Sequence, residues 1–155
     1  MGFKDLKEIV DFAIEKEREA AGFYETASRE EGLSGSRQML LEFAEQERKH
    51  QELLEKFQRE GLGDSLKNYE FKWITDIKRS DYVDDIEYKP GMAYHEILLL
   101  ATKREEKALK LYNELLRQAD SEDARLLFKM LCQEEAKHKL ALESMYDDYM
   151  AEMGD

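Results

Sequence analysis

Apolar residues recur at three- and four-residue steps through four stretches of the chain, and this spacing predicts four amphipathic helices. The first predicted helix covers residues 3–30, and the second begins at Ser34 or Ser36 and runs to about Glu60. The third covers 92–119, and the fourth begins at Asp120 or Ser121 and runs to 150. Residues 61–91 break the pattern, with poor periodicity and the only Pro of the chain. A structureless loop of this length is unusual in a compact domain, so we expect the segment to cross the molecule from one end to the other.

The two halves of the sequence repeat at a fixed offset of 88 residues, without a gap. This offset relates Ala20 to Ala108, Glu17 to Glu105, Tyr24 to Tyr112, Glu47 to Glu135 and His50 to His138. Two copies are too few for a solenoid, but two duplicated helical hairpins make a four-helix bundle. We therefore predict one all-α domain over 1–155, built from a hairpin at 3–60, a crossover at 61–91 and a hairpin at 92–150. A two-fold axis across the bundle would make the second and third helices parallel.

Composition and net charge exclude several kinds of function. The net charge is −12, and no run of Lys or Arg suggests a basic face for nucleic acid. The single cysteine, Cys132, excludes an internal disulfide and a CxxC metal site. The first residues contain no long apolar run, so we expect no signal peptide, no membrane association and a cytoplasmic protein. The acidic excess either keeps the surface solvated or supplies carboxylates for multivalent cations.

Ionisable residues stand on the apolar stripe of every predicted helix. Glu17 and Glu105 lie on the first and third helices, and the second and fourth each carry Glu-x-x-His. Residues three apart share one helix face, so each Glu and His can reach one point beside the helix. The predicted metal ligands are Glu17, Glu47, His50, Glu105, Glu135 and His138. One Glu from each of two helices with Glu-x-x-His from the other two is the ligand set of di-iron and di-manganese proteins.

Burying four glutamates costs several kcal/mol each unless positive charge compensates, and two divalent cations would neutralise them. Glu47 and Glu135 would then bridge or chelate, and each histidine would serve one metal. The alternative is that these residues are surface charges preserved by the repeat. It fits less well, because every candidate shares its face with Ala, Leu or Phe.

Four further residues are candidates for orienting the ligands. Tyr24 and Tyr112 follow Glu17 and Glu105 by two turns, and each phenol could donate to a ligand carboxylate of another helix. The alternative for both is a core tyrosine with an incidental partner. Gln46 and Glu134 precede the two Glu-x-x-His motifs and could hold the outer histidine nitrogens, or could face solvent.

The motifs AIEKEREAAGFYETA and FAEQERKHQELL in one half, with LATKREEKALKLYNEL and LCQEEAKHKLAL in the other, make the chain resemble the rubrerythrin family of ferritin-like di-iron proteins. The resemblance covers nearly the whole chain and implies two iron ions as cofactor, with manganese or zinc as possible substitutes. It also implies a homodimer. The chain lacks the cysteines of the rubredoxin domain of rubrerythrins proper, and Ala108 stands where many members carry an extra carboxylate.

The leading hypothesis is a non-haem di-iron oxidoreductase that reduces peroxide or dioxygen, a function linked to oxidative stress. An external electron donor, such as a rubredoxin-like protein, would restore the ferrous state. The second hypothesis is a ferroxidase or an iron-sequestering protein, in which the oxidised iron leaves the site. A third is a metal-free helical interaction module.

Overall fold

The computed structural model describes residues 6–29, 37–72, 74, 88–89 and 91–153. These residues form four helices: α1 (Leu6–Ala27), α2 (Arg37–Glu60), α3 (Tyr94–Gln118) and α4 (Glu122–Met153). Throughout the described ranges there is no β-strand, which confirms the predicted all-α four-helix bundle. Even α4, with 32 residues, has no apolar stretch fit to cross a bilayer, and the same holds for the other three.

Local signals account for the helix ends. At the end of α2 the Gly61 amide donates to Phe57 O at 2.9 Å, and Gly61 has a φ of 80°, which glycine adopts without steric cost. Before α4 the Ser121 hydroxyl accepts the Ala124 amide at 3.1 Å and caps the first turn. At the start of α3 the Glu96 carboxylate accepts the Ala93 amide at 3.2 Å.

Two apolar clusters fix the directions of the helices. One joins the start of α1 and of α4 to the ends of α2 and α3, and contains Val10, Leu54, Leu115 and Leu127. The other joins the end of α1 to the starts of α2 and α3 and to the middle of α4. The helices α2 and α3 therefore run parallel, as the repeat predicts, and both run against α1 and α4. The packing is densest within each hairpin, α1 with α2 and α3 with α4.

The connection between α2 and α3 has to run the length of the bundle, because α2 ends beside one cluster and α3 begins beside the other. A helix of this length spans about 36 Å. The first part of the connection follows α4: the Gln133 amide donates to Glu70 O at 2.8 Å, and Gln133 Oε1 accepts the Lys72 amide at 2.6 Å. At the other end the Tyr88 ring contacts Phe23 edge-on. The rest of the predicted crossover, 73, 75–87 and 90, lies outside the described residues.

Candidate metal centre

The six predicted ligand residues lie together between the two apolar clusters. Each has a relative exposure of 5% or less, and Glu47 has none. Each helix contributes for the reason that the sequence suggests: a residue on the apolar stripe points inward, whatever its polarity. The six residues come from all four helices, Glu17 from α1, Glu47 and His50 from α2, Glu105 from α3, and Glu135 and His138 from α4.

The six side chains form two overlapping groups, each with ligand atoms within 4.8 Å of one another. The first group contains His50, whose Nδ1 lies 3.4 Å from Glu17 Oε2. The second contains His138, whose Nδ1 lies 3.5 Å from Glu105 Oε1. The internal repeat relates these two groups, so the centre has an approximate two-fold symmetry.

Glu47 and Glu135 belong to both groups. Glu47 Oε1 lies 2.8 Å from His138 Nδ1 and 3.8 Å from His50 Nδ1. Glu135 Oε1 lies 3.3 Å from His50 Nδ1 and 3.8 Å from His138 Nδ1. Two cations, one beside each histidine, would therefore share these two carboxylates.

Buried oxygen and nitrogen atoms without a hydrogen bond indicate whether this cluster fits a metal pair. Among the described residues, seven such oxygen and nitrogen atoms belong to the six candidates: Glu17 Oε2, both oxygens of Glu47, Glu105 Oε2, Glu135 Oε1, His50 Nδ1 and His138 Nδ1. Leaving a buried polar atom unsatisfied costs about 1–3 kcal/mol, and more for a charged group. Oxygen and imidazole nitrogen donors suit iron, manganese and zinc, so the residues fit the metal pair that the sequence suggests.

Two tyrosines join the hairpins at the centre. The Tyr24 hydroxyl of α1 donates to Glu105 Oε1 of α3, and the Tyr112 hydroxyl of α3 donates to Glu17 Oε1 of α1. Each tyrosine thus donates to one oxygen of a candidate ligand, and the other oxygen, Glu17 Oε2 or Glu105 Oε2, is buried without a hydrogen bond. Both tyrosines are 1% exposed. Burial, with the charge of the nearby carboxylates, raises the pKa of each phenol well above its usual value, so both remain donors at neutral pH.

The outer nitrogens of the two histidines face different partners. His138 Nε2 is hydrogen-bonded to Gln46 Oε1, across the hairpins. His50 Nε2 lies 4.0 Å from Glu134 Oε1, also across the hairpins. A ring that donates its Nε2 hydrogen outward keeps the Nδ1 lone pair aimed at the centre. The structure therefore places Gln46 and Glu134 beside the two histidines, and both side chains are half-buried.

In the metal-free cluster, burial and neighbouring charges shift the pKa values of several side chains. Burial, reinforced by the neighbouring carboxylates, raises the pKa of Glu47 and Glu135 well above the usual value. Burial alone would lower the pKa of His50, but the charge of Glu17 and the close carboxylates of Glu134 and Glu135 outweigh it and raise that pKa. The contact with His50 is, in turn, the largest cause of the lowered pKa of Glu134. Without metal, protons have to supply the compensating positive charge.

Sequence reasoning missed two residues beside the centre. The Tyr69 hydroxyl donates to Glu134 Oε2 at 2.7 Å, and Gln133 fastens the same stretch of the connection to α4. Tyr69 lies in the aperiodic segment, where spacing carries no signal about neighbours. Cys132 is half-buried, and burial raises its pKa to about 12, which keeps it protonated.

A sequence model of the protein family described as Rubrerythrin matches residues 8–146. Among solved structures, a hypothetical protein from Pyrococcus furiosus superimposes with a TM-score of 0.66 at 22% identity, over 93% of this chain and 89% of that chain. A likeness at this identity shows the fold alone. No functionally curated protein matches the sequence.

Proposed function

The chain belongs to the rubrerythrin family, and on this premise we propose that it is a non-haem di-iron oxidoreductase that reduces peroxide or dioxygen. The observation that carries the proposal is the set of six buried donors from four helices, with their free lone pairs directed at one shared space. When bound there, two iron ions supply one electron each to a two-electron oxidant.

The protein residues bind and orient. His50 with Glu17 would hold one ion, and His138 with Glu105 the other. Glu47 and Glu135 would be ligands of both ions. Four carboxylates and two neutral imidazoles carry four negative charges, which two divalent cations cancel. This cancellation removes the main cost of burying the cluster.

The surrounding residues limit how the ligands move. Tyr24 and Tyr112 tie one carboxylate of each half to the opposite hairpin, so a change of charge at the metals would not swing these ligands freely. Gln46 fixes the ring of His138 in the same way. Outer contacts of this kind typically change metal affinity or activity by about 10–100-fold when removed.

A second candidate function is a ferroxidase or an iron-sequestering protein, and Ala108 favours it. Many rubrerythrins carry a further carboxylate at this position, one turn after the third-helix ligand, whereas this chain has a methyl group there. The chemistry would begin in the same way, but the oxidised iron would leave the site. A metal-free interaction module would leave the buried carboxylates without compensation.

Anaerobic titration with Fe(II) tests the metal site. We expect two ions per chain in the wild type and a loss of both from Glu47→Gln, because both groups share this residue. Glu45→Gln is the matched control, since it removes the same charge from an exposed position on the same helix. A wild-type chain that binds no Fe(II), or a Glu47→Gln variant that binds like the control, would contradict the proposal.

Addition of peroxide to the loaded protein separates the two candidate functions. The optical spectrum should report oxidation of the bound iron in both cases. With a chemical reductant present, an oxidoreductase should consume many equivalents of peroxide per chain and keep its iron. A ferroxidase should stop after one oxidation and release ferric iron, which a chelator in the buffer would detect.

A further inference from the structure

An open cleft separates α1 from α3 directly over the metal centre. Its volume is about 550 Å³, and its lining includes Tyr24, Glu105 and Glu135. The helices α1 and α3 pack only sparsely against each other, whereas each packs closely against its hairpin partner. The cleft lies between these two helices, and the candidate ligands Glu105 and Glu135 are among the residues that line it.

Two alanines make the room for this cleft. Ala20 and Ala108 line it from opposite helices, and the repeat relates them. Each follows a candidate ligand by one turn, Glu17 or Glu105, and so faces the same side of its helix. A longer side chain at either position would enter the cleft.

The cleft is much larger than a peroxide or dioxygen molecule needs. A water molecule occupies about 30 Å³ of the liquid, so the volume suits a molecule with well over ten non-hydrogen atoms. Phe12, Leu100 and Leu111 contribute apolar walls. Clefts of this size with apolar walls are typical of sites for small organic molecules.

Basic side chains surround the mouth of the cleft. Five of them line it: Lys16, Lys103, Arg104, Lys107 and Lys110. Two carboxylates pair with some of these, Glu19 with Lys16 at 3.4 Å and Glu106 with Lys103 and Lys110 at 3.6 and 3.1 Å. Among the described lining residues, Glu19 is the one acidic residue beside these five, whereas Glu105 and Glu135 lie at the inner end, so the mouth is basic in a chain whose net charge is −12.

Aromatic rings hold two of these cations in place. The Arg104 guanidinium lies over the Phe23 ring at 4.7 Å, and the Lys16 ammonium lies over the Phe12 ring at 5.2 Å. Such contacts restrain long side chains at little cost in desolvation. The local field at the mouth is thus opposite in sign to the rest of the protein, and it favours an anion.

We propose that the cleft binds an amphipathic organic anion, such as a medium-chain carboxylate, with its charged head at the basic mouth and its apolar body along the walls toward the metal centre. The inner end carries Glu105 and Glu135. Two divalent cations would bring the carboxylate cluster only to neutrality. The basic mouth therefore attracts the anionic head more strongly than the inner end of the cleft does. The further step, that this anion is a substrate of the oxidoreductase, rests on the proposed function. Its binding in the cleft does not.

Calorimetric titration with octanoate tests the site, with octylammonium as the probe of opposite charge and acetate as the head group alone. We expect octanoate to bind and the other two not to bind. Arg104→Gln should weaken octanoate binding about tenfold, because a charge-assisted hydrogen bond contributes about 1.5 kcal/mol or more. Lys49→Gln is the matched control, since it removes one positive charge from an exposed position on α2. Ala108→Leu should weaken octanoate binding by narrowing the cleft beside Glu105, and circular dichroism verifies the fold of each variant.

Three results would overturn the inference. The first is that octylammonium binds as tightly as octanoate, and the second is that neither cleft variant changes octanoate binding. The third is a dimer in solution that octanoate dissociates, which would make the cleft an interface between copies. The titrations are run with and without two equivalents of Fe(II). A chain that binds octanoate but takes up no Fe(II) would refute the proposed function and leave the cleft a binding site.

Discussion

The two halves of the metal centre differ behind their histidines, and this difference predicts unequal metal affinities. His138 faces the neutral amide of Gln46, whereas His50 faces the carboxylate of Glu134. A carboxylate behind a ligand histidine makes the ring a stronger donor. We expect Glu134→Gln to weaken binding of the ion beside His50 and to leave the ion beside His138 nearly unchanged.

The structure gives the size of the effect. Glu134 Oε1 lies 4.0 Å from His50 Nε2, and an ion on the opposite ring nitrogen would be roughly 8 Å from that carboxylate. A divalent cation and one negative charge at this distance attract by about 4 kcal/mol at an effective dielectric constant of 20. Lys137 lies 2.8 Å from the other oxygen of Glu134 and offsets part of this attraction. We therefore expect a loss of about 1.4–2.8 kcal/mol, or 10–100-fold in affinity.

Competition with a chromophoric chelator under anaerobic conditions measures the two dissociation constants. The repeat supplies a matched control: Gln46→Glu places a carboxylate at the equivalent position behind His138 and should tighten the second site. The double exchange of Gln46→Glu with Glu134→Gln should reverse the order of filling. If Glu134→Gln changed both constants equally, or changed neither, the argument from the outer partners would be refuted.

Three further predictions concern stability and the ligands. Tyr112→Phe removes the donor to buried Glu17 and should cost about 1–3 kcal/mol in the unfolding free energy of the metal-free protein, measured with urea; a loss below 0.5 kcal/mol would contradict a positioning role. Leu142→Ala opens a cavity at a fully buried site and should cost about 2–5 kcal/mol with an unchanged m-value. Because Glu47 and Glu135 have raised pKa values, the folded metal-free protein keeps protons on these two residues at pH values where the unfolded chain has lost them. Its stability should thus fall as the pH rises above about 4.5, whereas metal binding should strengthen with pH; urea midpoints with chelator present that rise toward neutrality would contradict the first trend.

The sequence by itself determined the helices and the inward face of each. Spacing along one helix is local, because 3.6 residues per turn place positions three, four and seven apart on the same side. The Glu-x-x-His pairs and the exact repeat therefore sufficed to place His50 and His138 on inward faces. The same repeat predicted parallel α2 and α3, which the apolar clusters confirm.

Only the tertiary structure decided which residues meet across helices. Tyr24 donates to Glu105 of α3 and not to Glu17, which lies two turns away on its own helix. Tyr69 joins the centre from an aperiodic segment for which spacing predicts nothing.

The cleft also depends on distances between helices. Sequence reasoning found no basic run, yet Lys16 on α1 and Arg104 on α3 lie at the same opening. The repeat pairs Ala20 with Ala108, but only the structure shows that both line one cleft between α1 and α3. Periodicity fixes direction around one helix axis, but the gap between two axes depends on how all the side chains pack together.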